Sequence, residues 1–186
     1  MKKVILIHRW DGSPDADWYP WLKEELEKRN IQVHIPAMPD PNKPKIKRWV
    51  AFLKKELKDI DEQTFFVGHS IGCQTIMRFI EALPDNPRIG GALFVAGFFR
   101  LNKLETEEEK TIAKPWLEKP IDGDKVKKRI KQIKSIFSDN DPFVPLSNVK
   151  LFAEKVGAKT IIEKKQGHFN DETAPIVLKI LLEMTQ

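Results

Sequence analysis

The chain has 186 residues, of which 41% are hydrophobic and 32% are charged, a balance typical of a soluble globular protein with a sizeable core. No apolar run approaches the roughly 20 residues that a membrane-spanning helix needs, and the apolar stretch Val4–Ile7 is too short for the core of a secretory signal. The single cysteine, Cys73, excludes a disulfide framework, so we expect a cytoplasmic protein that binds no membrane.

The net charge of +5 is mild, and the densest basic stretches are Lys43–Lys58 and Lys125–Lys134. Both carry apolar residues at helical spacing, which is typical of amphipathic helices with a solvated basic face. No nucleic-acid-binding motif accompanies the charge, so we expect no nucleic-acid partner.

Strand-like and helix-like segments alternate along the chain. The predicted strands are Val4–His8, Ile31–Ile35, Thr64–Val67, Ala92–Ala96, Ile133–Phe137 and Thr160–Glu163. The predicted helices are Trp18–Arg29, Ile46–Leu57, Ile71–Leu83, Lys125–Lys131, Ser147–Val156 and Thr173–Met184. Six strands separated by helices predict an α/β fold, a three-layer α/β/α sandwich built on a parallel sheet.

Residues 99–123 lie outside this alternation, because their sequence is charged and irregular. We interpret them as a short lid-like insertion in a single domain that spans residues 1–186. The segment is short enough to predict only a minimal lid, with Trp116 near the site that it covers.

Residues 68–72, Gly-His-Ser-Ile-Gly, match the pattern G-x-S-x-G between a predicted strand and a predicted helix. A nucleophilic serine needs such a sharp turn, since its hydroxyl must project clear of the sheet. The helix N-terminus also favours negative charge that develops on a substrate oxygen. Ser70 is therefore the predicted nucleophile; the alternative is a serine that merely caps the helix.

A nucleophilic serine requires an imidazole as base, and in this kind of fold the chain order is serine, acid, histidine. Of the four histidines, only His168 follows Ser70, and it comes just after the last predicted strand. His69 lies beside the serine on a turn that should point its ring elsewhere, so we interpret it as packing or hydrogen-bonding locally.

The acid should follow the preceding strand, where residues 138–145 read Ser-Asp-Asn-Asp-Pro-Phe-Val-Pro. Asp141 is the predicted acid, because the proline after it stiffens the turn. Asp139 is the alternative, although its position is more typical of a turn former. Asp171 lies closer to His168 in sequence, at a position where a cap of the last helix is expected.

Two N–H groups should form an oxyanion hole. The first is the backbone N–H of Ile71, directly after the nucleophile, and the second is the backbone N–H of Trp10, in the loop after the first strand. The alternative for Trp10 is that its side chain only lines a pocket.

Several segments together resemble the small serine hydrolases of the retinoblastoma-binding-protein 9 and bacterial YdeN type, a compact branch of the α/β-hydrolase superfamily. The resemblance covers nearly the full length and is carried by residues 17–22 (DWYPWL), 38–41 (MPDP), 68–73 (GHSIGC), 95–98 (VAGF), 138–145 (SDNDPFVP) and 167–169 (GHF). Ser70, Asp141 and His168 match the catalytic triad of that family one by one.

The resemblance implies a compact α/β-hydrolase fold with strand order 2-1-3-4-5-6 and carboxylesterase-type activity on small acyl esters, without a metal or cofactor. One departure is that His8 is followed by Arg9, where the superfamily commonly has glycine. Arg9 could narrow the oxyanion loop or reach toward the acyl group. We therefore predict Arg9, Trp116, Phe143 and Phe169 as substrate-binding residues, although aromatic residues could equally belong to the core.

Two other functions stay open at this point. The same fold could serve as a non-catalytic protein-binding module. The triad could also act on another acyl bond, as a thioesterase or a peptidase, because leaving-group preference depends on the shape of the pocket.

Overall fold

The computed structural model describes residues 1–84 and 88–186. Strands and helices alternate through these residues as the sequence predicts. In chain order they are β1 (Lys3–Ile7), α1 (Tyr19–Glu27), β2 (Gln32–His34), α2 (Ile46–Glu56), β3 (Thr64–His69), α3 (Ile71–Glu81), β4 (Gly91–Val95), α4 (Glu107–Glu118), α5 (Gly123–Arg129), β5 (Ile133–Ser138), α6 (Ser147–Val156), β6 (Lys159–Glu163) and α7 (Pro175–Met184).

The six strands form one parallel sheet with the order β2-β1-β3-β4-β5-β6. The predicted parallel sheet and the strand order implied by the resemblance are both confirmed. Successive side chains of a strand point to opposite faces, so Ile5 and Ile7 of β1 enter one core while Val4 and Leu6 enter the other. Buried residues of α2–α6 cover the first face, and those of α1 and α7 cover the second.

The segment between β4 and α5 contains a helix, so the prediction of an irregular stretch over 99–123 is wrong. Helix α4 begins with a capping box in which Thr106 accepts from the Glu109 N–H and the Glu109 carboxylate accepts from the Thr106 N–H. Helix α7 begins at Pro175, with Ala174 at its N-cap and no side-chain cap. The expectation that Asp171 caps the last helix is therefore also wrong.

Parallel strands bring the loops at their carboxyl ends to a single edge of the sheet. Ser70 follows β3, the loop that contains Asp141 follows β5, and the loop that contains His168 follows β6. Within the described residues, no helix combines the length and the apolar character that crossing a membrane requires.

Candidate active site

Ser70 is the single residue between β3 and α3, and its backbone is strained. Its φ of 55° and ψ of −117° lie outside the regions that side-chain-bearing residues normally adopt. The turn is held because the Ser70 N–H donates to the Val95 carbonyl at 2.9 Å and the Cys73 N–H donates to the Ser70 carbonyl at 3.0 Å. The Ser70 side chain makes no capping hydrogen bond, so the interpretation that it caps α3 is wrong.

The two glycines of the motif let the helix start close to the sheet. A Cβ atom on Gly68 would lie 2.6 Å from the Cys73 backbone nitrogen, and one on Gly72 would lie 2.1 Å from the Ile7 carbonyl oxygen. Any side chain at either position would push α3 away from the sheet and displace the serine between them.

Asp141 and His168 form a buried hydrogen-bonded pair. The Asp141 Oδ2 atom lies 2.7 Å from His168 Nδ1, and the two side chains are only 1% and 8% exposed. The other carboxylate oxygen, Oδ1, accepts from the backbone N–H groups of Phe143 at 2.8 Å and Val144 at 3.0 Å. These bonds fix the carboxylate, and the carboxylate in turn orients the imidazole with Nδ1 inward.

The loops that present Asp141 and His168 are joined to each other by hydrogen bonds. Three consecutive backbone N–H groups, those of residues 165–167, donate to side-chain oxygens of Asp139, Ser138 and Asn140 at 2.8 to 2.9 Å. Asp139, the alternative acid, thus binds the backbone at Lys165 and not the imidazole. Of the two aspartates, Asp141 is the one that the fold brings to His168.

The loop after β1 directs a peptide N–H group away from the loop interior. The Arg9 carbonyl lies 2.8 Å from His8 Nδ1 and accepts from the Gly12 N–H at 3.1 Å. Because the two ends of a trans peptide point in opposite directions, the N–H of Trp10 points away from these partners. The N–H groups of Trp10 and Ile71 donate to no described residue, and both remain available for an oxyanion.

His8 fixes this loop in its neutral form. Its Nε2 atom accepts from the Met38 N–H at 3.2 Å, which leaves Nδ1 to carry the proton that binds the Arg9 carbonyl. Burial lowers the pKa of His8, so the ring stays in the one-proton state that both bonds require.

Arg9 lines the active-site cavity, but its guanidinium group is already engaged. Its Nε atom donates to Asp17 Oδ2 at 2.7 Å and its second terminal nitrogen donates to Asp17 Oδ1 at 3.2 Å. The first terminal nitrogen donates to the Trp10 carbonyl at 3.1 Å. Asp17 thus holds the side chain along the loop, and the substrate-binding role of Arg9 stays a prediction.

A cavity of about 570 Å³ opens beside Ser70 and His168. Phe143 stands at its edge, with its ring centroid 5.3 Å from that of His168. Its apolar lining consists mainly of Phe98, Leu101, Leu104 and Ile112, of which the last three were not predicted to lie at the site. The capping box at Thr106 was the sequence signal that could have placed a helix, and so Ile112, over this site.

Two predicted substrate-binding residues lie in the core instead, and both predictions are wrong. Trp116 is 1% exposed, packs against Trp49 and donates its indole N–H to the Pro44 carbonyl at 3.1 Å. Phe169 is 3% exposed and belongs to the core on the opposite face of the sheet. In the part of the chain that the structure describes, no group of three His, Cys, Asp or Glu residues could hold a metal ion.

Comparison with known proteins gives consistent results. The pattern of the family described as serine hydrolases matches residues 4–175. The chain is 32% identical to YdeN of Bacillus subtilis, over 97% of this chain and 94% of that protein. It is 27% identical to the serine hydrolase RBBP9 of Rattus norvegicus, over 98% of this chain and 95% of that protein.

Solved structures show the same similarity. The crystal structure of the B. subtilis ydeN gene product superposes with a TM-score of 0.90 at 29% identity, covering 99% of this chain and 98% of the other. Est1E from Butyrivibrio proteoclasticus, solved with ferulic acid, has a TM-score of 0.72 at 15% identity, covering 99% and 89%. At 15% identity, the similarity to Est1E shows only a common fold.

Proposed function

This chain belongs to the serine hydrolase family, and from that premise we propose that it cleaves small carboxylic esters through a Ser70–His168–Asp141 triad. The observation that carries the proposal is the 2.7 Å contact between Asp141 and His168, beside the strained Ser70 in one cavity. A buried acid–base pair next to a serine on such a turn is the arrangement that acyl transfer needs.

In the first step, His168 Nε2 takes the proton from Ser70 Oγ as that oxygen attacks the ester carbonyl. Asp141 stabilises the imidazolium that forms and keeps its Nδ1–H bound. The oxyanion is held by the N–H groups of Ile71 and Trp10. When the tetrahedral intermediate collapses, His168 returns the proton to the departing alcohol, and the acyl group remains on Ser70.

In the second step, a water molecule gives a proton to His168 as its oxygen attacks the acyl-enzyme. The same N–H groups hold the second oxyanion. Collapse releases the carboxylic acid and returns the proton from His168 to Ser70. Because chain groups supply the nucleophile, the base and the oxyanion donors, the reaction requires no cofactor.

The cavity favours a small or apolar acyl group. Its volume of about 570 Å³ is in the range of small-molecule sites. Its lining combines the apolar residues Phe98, Leu101, Leu104 and Ile112 with polar and charged residues such as Asn102, Lys103 and Glu108. We place this activity in the cytoplasm, in keeping with the single buried cysteine, Cys73.

Steady-state hydrolysis tests the proposal. We expect the wild type to cleave p-nitrophenyl acetate and butyrate, and the Ser70→Ala variant to lose turnover while keeping its circular dichroism spectrum. Ser147→Ala, at an exposed serine on α6, is the matched control and should keep the wild-type rate. Esterase activity that persists in Ser70→Ala would refute the assignment.

A parallel series separates the bond classes. The same acyl group is offered as an oxygen ester, as a thioester and as an anilide, and kcat/KM is compared. Preference for the oxygen ester supports the proposal. A higher kcat/KM for the thioester or anilide would make the protein a thioesterase or an amidase, and absence of all three activities would favour a binding module.

A further inference from the structure

His69 is the last residue of β3, directly before the nucleophile, and it is completely buried. Its ring lies 5.6 Å from that of Trp18, 5.8 Å from that of Tyr19 and 5.2 Å from that of His168, measured between centroids. A buried imidazole needs a partner for each ring nitrogen, because an unpaired polar atom is costly away from water. One partner of His69 is the backbone of His168, and the other is the hydroxyl of Tyr19, which contacts the loop after β1.

The hydrogen bonds around His69 form a chain with one consistent placement of protons. The Arg9 N–H donates to the Tyr19 hydroxyl oxygen at 3.2 Å. The Tyr19 O–H then donates to His69 Nδ1 at 2.6 Å, and His69 Nε2–H donates to the His168 carbonyl at 2.7 Å. The interpretation that His69 packs against its surroundings is confirmed, although its hydrogen-bond partners are distant in sequence, at separations of 50 and 99 residues.

The surroundings keep His69 neutral. Burial holds the pKa of His69 well below its usual value, and the neighbouring His168, Arg9 and His8 lower it further. The anionic group that faces the ring is Asp17, whose Oδ2 atom lies 4.0 Å from Nδ1 and is paired with Arg9 at 2.7 Å. The neutral ring with its proton on Nε2 is the form that completes the chain.

The loop that contains His168 has an unusual backbone conformation. Three of its residues have a positive φ, namely Lys165 at 56°, Gly167 at 53° and Phe169 at 55°. Such a backbone persists only where the surrounding structure fixes it. Residues 165–167 are bonded to the loop that contains Asp141, and the Phe169 carbonyl accepts from the Trp18 indole N–H at 2.9 Å. The carbonyl of His168 itself accepts from His69.

We propose that His69 is a positioning residue of the reaction, which fixes the backbone of His168 relative to Ser70. His69 and Ser70 are consecutive in the chain, so the donor and the nucleophile move together. Asp141 orients the ring of His168, and His69 fixes the position of the His168 backbone. Through Tyr19, the same series of hydrogen bonds extends to the Arg9 N–H, in the loop after β1 that also contains Trp10. The inference rests on the proposed ester hydrolysis.

The first test compares variants at position 69. His69→Leu removes the donor and keeps an apolar side chain, whereas His69→Gln keeps an N–H near the position of Nε2. Since a misplacement of about 1 Å can cost about 100-fold in rate, we expect kcat of His69→Leu to fall by roughly 10- to 100-fold with KM little changed. His69→Gln should restore kcat to within about fivefold of the wild type.

His34→Leu is the matched control, because His34 is half exposed and lies on β2. It should keep the wild-type kcat. If His69→Leu fails to fold, Tyr19→Phe is measured instead, because it removes only the hydroxyl that binds His69. We expect this variant to lower kcat by about fivefold to tenfold. A lower melting temperature with kcat within about twofold of the wild type in the folded variant would overturn the inference.

A second readout does not depend on activity. Long-range ¹H–¹⁵N spectra distinguish the two neutral forms of each histidine from the charged form. We expect His69 as the neutral Nε2–H form from pH 8 down to pH 6, and the same form in Tyr19→Phe, because the His168 carbonyl can only accept a hydrogen bond. A charged or Nδ1–H His69 in the wild type would overturn the inference and leave the proposed hydrolysis standing. A wild type without esterase activity would refute the hydrolysis, and the positioning role with it.

Discussion

Asp141→Asn replaces one oxygen of the Asp141 carboxylate by an amide nitrogen and leaves the shape of the side chain almost unchanged. In the native loop, Oδ1 accepts two backbone N–H groups, those of Phe143 and Val144. The asparagine oxygen must stay at that position, because an NH₂ group there would face two donors. The amide nitrogen therefore faces His168 Nδ1, which must give up its proton to accept the new bond.

The substitution therefore leaves His168 in the tautomer that cannot act as a base. With the ring proton moved to Nε2, His168 has no lone pair to take the proton from Ser70. A triad with this defect loses about four orders of magnitude in kcat, which corresponds to about 5.5 kcal/mol of transition-state stabilisation. The free energy of unfolding should fall by only about 1 to 3 kcal/mol, since one charge-assisted hydrogen bond is weakened.

The assay is kcat for p-nitrophenyl acetate hydrolysis, combined with urea unfolding of the same preparations. Asp139→Asn is the matched control: it keeps an oxygen for the Lys165 N–H, and we expect kcat within about fivefold of the wild type. A folded Asp141→Asn that retains more than about a tenth of wild-type kcat would refute the reasoning. A larger loss of kcat in Asp139→Asn than in Asp141→Asn would show that Asp139 is the acid of the triad.

Three further predictions concern stability and are read by urea unfolding. Gly72→Ala places a Cβ atom 2.1 Å from the Ile7 carbonyl oxygen and should lower the free energy of unfolding by about 3 kcal/mol or more. Gly167→Ala meets nothing within 4 Å and should lower it by about 1 kcal/mol because of its positive φ. Equal losses in the two variants would refute the close approach of α3 to the sheet. Asn148→Ala leaves the N–H groups of Phe99 and Arg100 and the Arg100 carbonyl without their side-chain partner, whereas the Pro145 carbonyl keeps the Asn148 backbone N–H. The variant should cost about 3 kcal/mol, and a cost below about 1 kcal/mol would contradict the role of Asn148 in joining two loops. His69 is neutral when folded and binds a proton when unfolded below about pH 6.5, so its contribution to stability is present above that pH and is lost as pH falls, by about 1 kcal/mol between pH 6.5 and 5.5. His69→Gln should reduce this slope, and an unchanged slope would mean that His69 is protonated in the fold.

The parts of this molecule that the sequence predicts are those encoded by local patterns. Short apolar runs between amphipathic segments predict the parallel sheet, which brings loops from distant parts of the chain to one edge. The glycine-flanked Ser70, followed by an aspartate and a histidine after later strands, predicts three side chains that the fold carries to that edge. These features need only neighbouring residues and chain order to be recognised.

The remaining features depend on tertiary contacts. An aromatic side chain can equally fill a core or line a pocket, which is why Trp116 and Phe169 were misplaced. Helix α4 was missed because its charged start and its internal Pro115 are unusual for a helix, although the capping box at Thr106 was readable. The hydrogen-bond partners of His69 come from α1 and from the loop after β6, and no spacing in the sequence connects them with β3.

Covalent capture of the nucleophile tests the central claim most directly. The protein is incubated with a fluorophosphonate, digested with trypsin and mapped by mass spectrometry. Ser70 is the only serine of the tryptic peptide 59–78, so the position of the adduct is unambiguous. We predict stoichiometric labelling of that peptide at Ser70, lost in Ser70→Ala and strongly slowed in Asp141→Asn and His168→Ala. A folded wild type that stays unlabelled, or is labelled elsewhere, would contradict the account.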